Sequence, residues 1–361
     1  MQSIIAKRIS GNQAMTAPST PNTRQVWILD EGSQGHLVQS RGMVRELEKE
    51  VTLAISEIRI RCALSRRLGR SIVKRLLRSH PRLRLFRWLH PKVILPGTVP
   101  DLIVSSGPHS LTALVFLANH FGCPSVFLQG TLHVPQGSVT VVMRPFEGEQ
   151  RDDYIFIPLL FTEITPNVVN TAREQFLSEN DLRPTGTVNT LFIGNSSSKI
   201  RFSQDDWEGL ILFVNKLWKT DGSQWLITTS SRTGGELDEF LKRGVDPAAI
   251  LDAVWYSESP RNVTRAFLGL ADRVFVTMDS LTMISEAISS GRPTFAICPA
   301  AVGEDESNTH LRYINGLAKD GLIARLRPSH DAVLPTASPA AGQIDYSGPI
   351  HELMNRIRWK P

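Results

Sequence analysis

The chain has 361 residues, 41% of them hydrophobic and 21% charged, and a formal net charge of +5. That is more than one hydrophobic core usually fills, so two domains are expected; no run reaches the ~20 apolar residues of a membrane-spanning helix. Cys62, Cys123 and Cys298 are too few and too scattered for a disulfide framework or a Cys/His zinc site, and a reducing compartment fits them best.

Residues 1–24, ending in "TAPSTPNTR", are rich in turn formers and read as a disordered tail. From Val26 the pattern is strand, turn, helix. "VWIL" closes on the turn "DEGSQGH"; "PDLIVSSG" and "PSVFLQG" flank the helix-length run "LTALVFLANHFG". Pro184 and Gly186 interrupt the pattern, which restarts with "VNTLFIGNSSS", "SQWLITTSSR", "AVWYSES", "DRVFVTMDS" and "RPTFAICP". Three helical segments alternate with them: "QDDWEGLILFVNKLWK", "GGELDEFLKR" and "LTMISEAISSG". Short apolar runs closed by Gly or Ser, alternating with helices, indicate βαβ units and parallel sheets buried on both faces. The expected fold is α/β, with two Rossmann-like domains over 25–183 and 184–348. In similar folds the last helix crosses back to the first domain, and the same is expected of the final helix here, 349–361.

Residues 59–92 hold twelve Lys or Arg and no acid, whereas the other 28 Lys and Arg are outnumbered by 35 Asp and Glu. At 100° per residue Leu64, Leu68, Ile72, Val73, Leu76 and Leu77 share one face, with Arg67, Arg70, Lys74 and Arg78 opposite. This pattern suits a helix lying on an anionic membrane surface, with Phe86 and Trp88 entering the interface; a helix packed on the sheet with a solvated basic face fits it too. Nucleic acid is not expected, because the rest of the chain is acidic and carries no binding motif.

In open parallel sheets ligands sit beyond the carboxyl ends of the strands, so the segments after each apolar run are the informative ones. Gly194, Asn195, Ser196 and Ser197, together with Ser230, Arg232 and Thr233, offer backbone amides and a forked guanidinium to a pyrophosphate. The same composition also serves ordinary caps and turns. Asp279 and Ser280 precede a helix whose first turn, through Met283, presents further amides, and Glu286 suits bidentate acceptance from ribose hydroxyls. Gly32, Gly35, Ser106 and His109, with Gln39 on the following helix, are candidate acceptor or cleft contacts. No DxD triplet and no GxSxG elbow occurs. No metal or resident cofactor is expected; amides, hydroxyls and Arg232 would meet leaving-group charge.

"DEGSQGHLVQSRGM", "PDLIVSSG", "VWYSES", "LITTSSRT" and "LADRVFVTMDSLTMISEAISSGRP" resemble the mitochondrial-fission Elm-type family, whose bacterial members share a GT-B architecture. The resemblance runs from about residue 26 to 325, and its last block is similar to the nucleotide-sugar-binding helix of the glycosyltransferase that makes lipid II. Carried over, it implies Glu286 on the ribose, Ser280, Leu281 and Thr282 on the pyrophosphate, and Arg232 facing them. Gly35-His36 is similar to the "QGH" turn of plant glycosyltransferases, whose His is the catalytic base. His36 suits an inverting transfer; Asp30 and Glu31 are rival bases. The plant enzymes support that His with an Asp, but Asp101 here opens its strand, at the wrong end. The chain also departs from the family in "SPRNVTR" and "LQGTLHVPQG".

The resemblance implies a glycosyltransferase moving a sugar from a nucleotide-sugar co-substrate to a lipid-linked or surface-glycan acceptor, peripheral on the inner face of the plasma membrane. It equally admits a non-catalytic adaptor of the fission type or a sugar-nucleotide epimerase of the same architecture.

Overall fold

The computed structural model describes residues 23–60, 86–87, 90–128, 136–145, 151–197, 199–302, 308–329, 331–334, 339 and 344–359. The tail before residue 23, the amphipathic pattern at 64–78, Trp88 and Ser198 lie outside them.

The first half comprises β1 (Arg24–Asp30), α1 (Gln34–Leu47), β2 (Leu53–Arg59), β3 (Leu102–Ser106), α2 (Leu111–Phe121), β4 (Ser125–Leu128), β5 (Val141–Arg144) and β6 (Tyr154–Phe156). Its strands pair in parallel in the order β2-β1-β3-β4-β5-β6. The second half comprises α3 (Pro166–Glu179), β7 (Val188–Ile193), α4 (Gln204–Asp221), β8 (Gln224–Thr229), α5 (Gly235–Gly244), β9 (Ile250–Val254), α6 (Thr264–Leu270), β10 (Arg273–Thr277), α7 (Leu281–Ser289), β11 (Thr294–Ile297), α8 (Thr309–Lys319) and β12 (Ala324–Leu326), before the last helix α9 (Ser347–Ile357). Its parallel sheet runs β12-β11-β10-β7-β8-β9. Each sheet reverses its strand order once, between β1 and β3 and between β7 and β10. Those two switch points open crevices beyond the carboxyl ends of the strands.

The apolar runs form central strands because both faces are covered. β3, β4, β5 and β7 are buried at every residue, whereas the edge strand β2 is covered more sparsely. One hydrophobic cluster covers a face of the first sheet with α2, and another covers a face of the second with α4 and α5. A third runs through both halves, from Val26 and Ile28 across Leu159–Ile164 to Val274, Val276, α7, α8 and α9. The halves therefore share a continuous core.

Packing moves two expectations. Helix α3, placed by the sequence with the first half, packs on α6: Phe176 meets Phe267 edge-on at 6.0 Å, and Gly269 leaves no room for a Cβ against the Val169 carbonyl. The chain therefore changes halves near 157–165 rather than at 184. Phe86, expected to face a membrane, is 1% exposed and belongs to the core beneath α2. At the other end of the chain α9 returns to pack on β5 and β6. Tyr346, just before it, stacks on Phe161 at 4.6 Å and donates to the Leu160 carbonyl at 3.2 Å. None of the described helices is long and apolar enough to cross a membrane.

Candidate functional site

The turn after β1 wraps around the end of β3. Glu31, with 3% of its side chain exposed, places one carboxylate oxygen 2.6 Å from His36 Nδ1; its other oxygen accepts from the His109 and Ser110 amides at 2.6 and 3.0 Å. Burial works to raise the Glu31 carboxyl, but the His36 ring and the His109 amide outweigh it and leave its pKa below the ordinary value. An ionised Glu31 accepts from Nδ1–H, which fixes the tautomer and leaves His36 Nε2 as the basic nitrogen. The approach depends on Gly107, which follows β3 at φ +93°: a Cβ there would overlap both the Glu31 carboxylate and His36 Nδ1.

Sequence reasoning treated Asp30, Glu31 and His36 as rivals and found no partner for the histidine. The structure gives the three different surroundings. Glu31 is the partner, occupying both of its oxygens in doing so, and Asp30 is ion-paired to Arg59 while accepting from the Gly32 amide at 2.7 Å. Only His36 keeps a ring nitrogen without a partner among the described residues, on a side chain 29% exposed.

At the second switch point the serine-rich loops are more self-contained than their composition suggests. Ser230 Oγ and Thr233 Oγ1 donate to the Gly194 carbonyl at 2.9 and 3.0 Å. Ser196 Oγ accepts from the Phe202 amide, and Ser197 Oγ from the Lys199 and Ile200 amides. Asn195, at φ +126°, accepts the Ser196 amide and donates to the Arg232 and Thr233 carbonyls. These groups lock the ends of β7 and β8 together, so the open amide nest expected at Gly194–Ser197 and Ser230–Thr233 is internally satisfied.

The unfilled donors lie instead on α7. Ser280 sits at its N-cap, but its hydroxyl makes no capping bond, so the amides of Leu281, Thr282 and Met283 have no partner among the described residues. Beneath them Asp279, with no exposed side-chain surface, pairs with Arg232 Nη2 at 3.0 Å, while Arg232 remains 46% exposed. A Cβ on Gly194 would overlap that pair, so the glycine lets β7 close over it. Burial pushes the Asp279 carboxyl up, against the pull of Arg232.

Two further side chains, Lys199 and His310, flank this helix end, neither singled out in the sequence. Lys199 Nζ donates to Thr309 Oγ1 at 2.8 Å, and His310 Nε2 donates to the Met278 carbonyl at 2.5 Å. Burial, with Lys199 and Arg232 nearby, lowers the His310 pKa, so that ring is neutral at pH 7. Both residues lie far from β10 in sequence, and only the start of α8 brings them there.

The two crevices meet. Gly35 lies against α7, a Cβ there falling 3.1 Å from Thr282 Oγ1. Gln39 Nε2 donates to that same oxygen at 3.1 Å, and Ser106 Oγ donates to Gln39 Oε1 at 3.4 Å. The uncapped first turns of α1 and α7 thus adjoin, with His36 on one and Ser280 on the other. Glu286 lies on the same face of α7, one turn beyond Thr282. Its carboxylate makes no hydrogen bond among the described residues; burial and the Glu163 carboxylate push its pKa to about 7 against the pull of Arg265.

Several solved structures share this fold at low identity. The UDP-GlcNAc 2-epimerase from Neisseria meningitidis bound to UDP-GlcNAc has a TM-score of 0.50 and 10% identity, covering 85% of this chain and 88% of that one. The E. coli ADP-heptose LPS heptosyltransferase II has a TM-score of 0.46 and 10% identity, covering 92% and 98%. S. aureus MnaA with UDP has 0.47 and 12%, covering 94% and 99%. Two parallel six-stranded sheets with interleaved helices make the architecture GT-B. No curated protein sequence matches significantly. The family model for mitochondrial fission ELM1 matches residues 34–346, and with that match over most of its length the chain belongs to the mitochondrial fission ELM1 family.

Proposed function

We propose that the protein is a glycosyltransferase that uses a nucleotide-sugar donor, with the donor on the second half and the acceptor on the first. The observation that carries this reading is the Glu31–His36 pair placed beside the open N-terminus of α7. His36 Nε2 takes the proton of an acceptor hydroxyl as its oxygen bonds to the anomeric carbon. The bond from that carbon to the donor phosphate breaks, and the diphosphate leaves towards the Leu281, Thr282 and Met283 amides and Arg232. Glu31 stabilises the imidazolium, as a buried carboxylate behind a catalytic histidine does. Glu286 is assigned to the ribose. Attack opposite the leaving group inverts the anomeric centre. The chain lacks a DxD motif, and amides with a guanidinium supply the positive charge. The family resemblance supports a lipid-linked or surface-glycan acceptor.

The test is His36→Ala assayed with sugar nucleotides. Turnover is expected to fall roughly 10²- to 10⁴-fold, while donor affinity and melting temperature stay unchanged. Unimpaired turnover would remove His36 from the reaction. Conversion of a sugar nucleotide without any acceptor would identify an epimerase. Absence of nucleotide stabilisation, expected at about 2.7 kcal/mol for ligand at 100 times its Kd, would favour the non-catalytic adaptor.

A further inference from the structure

Between Glu57 and Asp101 the sequence has no acidic residue and twelve Lys and Arg. The described part of this stretch ends in the loop 90–100, "HPKVILPGTVP", which is built unlike the other connections. It is anchored from within: Phe86 and His90 are 1% exposed, Val93 and Leu95 pack on the core beneath α2, and the Val93 amide donates to the His90 carbonyl at 3.1 Å. From that footing it holds large apolar side chains out in solvent, Ile94 at 88% exposure and Val99 at 63%. Arg87 and Lys92, which precede them in the same stretch, are exposed as well. The acid that ends the stretch, Asp101, is occupied by the Gln25 amide at 2.8 Å and by Arg24 at 3.8 Å.

Single exposed apolar residues are common, but two on one firmly rooted loop, inside an acid-free basic stretch, are a different feature. Water gives no reason to hold them out. Apolar tips framed by cations match the layering of an anionic bilayer, where aliphatic side chains enter the acyl boundary while Lys and Arg stay with the phosphates. A nucleic acid would use the cations but gains nothing from Ile94 and Val99, and an acidic protein surface would leave both unburied.

We propose that the loop 90–100, through Ile94 and Val99 with Arg87 and Lys92, seats the protein on an anionic lipid surface. The proposal stands whatever reaction the cleft performs. The loop enters β3 at the end of the first sheet opposite the cleft. A seated protein thus keeps the cleft open to solution, with an acceptor arriving freely or on a tether spanning roughly 20 Å of sheet.

The experiment is sedimentation of the full chain with vesicles of phosphatidylcholine alone or with roughly one-third phosphatidylglycerol, at about 0.05 M and about 0.5 M salt. The parent is expected to bind the anionic vesicles, and less at high salt. Ile94→Ser with Val99→Ser is expected to lower partitioning about ten- to a hundredfold with an unchanged melting temperature. Arg87→Glu with Lys92→Glu is expected to lower it and flatten the salt dependence. Equal binding to both vesicle types, or parent-like binding of the double serine variant, would overturn the proposal. So would competition by duplex DNA that abolishes vesicle binding of the parent and the serine variant alike, since the stretch would then bind polyanions without using its apolar tips.

Discussion

At Gly107 the backbone is left-handed, and any Cβ would collide with the Glu31–His36 pair. Gly107→Ala is therefore expected to part the two side chains and lower turnover at least about tenfold, with a stability loss on the order of 1 kcal/mol; unchanged turnover would show that the pair is dispensable. Glu286 gives a second test at this scale, through pH. Its pKa in the folded protein, about 7, lies above the ordinary 4.5, so the folded state holds an extra proton between those values. Stability from this group is complete below about pH 4.5, falls as pH rises to about 7, and stays lost above. Glu286→Gln removes that loss, so the variant is expected to match its parent near pH 4.5 and to exceed it by on the order of 3 kcal/mol at pH 8. Urea unfolding at several pH values measures this, and a pH-independent difference would contradict it. Much of the residue scale was hidden from sequence. That Glu31 supports His36 depends on a positive φ in a loop over seventy residues away. Whether Ser230 and Thr233 face a ligand or the Gly194 carbonyl is a matter of hydroxyl direction, which composition does not carry.

Elements were more legible, for a physical reason. A parallel strand covered on both faces must be largely apolar, so β1, β3, β4, β7, β8, β10 and β11 stand out as short apolar runs, most of them soon followed by Gly, Ser or Thr. β2 is a sparsely covered edge strand, and β6 and β12 span only three residues each, so their signals are weak. Helix α3 was misplaced because its partner α6 lies almost a hundred residues later. Their contact is testable: Gly269→Ala drives a methyl into the Val169 carbonyl and is expected to cost about 1 to 3 kcal/mol. Gly316→Ala, mid-helix in α8 with open space around its Cβ position, should instead stabilise by up to ~1 kcal/mol. Thermal unfolding of the two variants should move in opposite directions; a shared sign would mean that helix propensity, not packing, governs both.

Across the whole molecule the halves are held together unevenly. Near the crossing, contacts are buried and aromatic, Tyr346 on Phe161 and the Leu160 amide donating to Tyr313 Oη at 3.2 Å, with an exposed bond from Arg45 to the Glu163 carbonyl at 2.9 Å added at the surface. At the cleft mouth the described residues link the halves by the thinner hydrogen-bonded chain Ser106–Gln39–Thr282. Motion of one half against the other should therefore hinge at 157–165 and open at α1 and α7, where the donor is proposed to bind. Gln39→Met keeps the side-chain volume and removes both the bond from Ser106, which lies within the first half, and the bond to Thr282, and the latter loss, roughly 0.5 to 1.5 kcal/mol, falls on the closed arrangement. The expected result is a larger radius of gyration in solution scattering, with little change in melting temperature because the aromatic end carries the shared core. If donor binding itself requires closure, the variant should bind a nucleotide sugar about two- to tenfold more weakly, and saturating ligand should restore the parent's radius. A Gln39→Met protein with the parent's radius and affinity would mean that the mouth is held by packing of Gly35 on Thr282, and the next variant to measure would be Thr282→Gly.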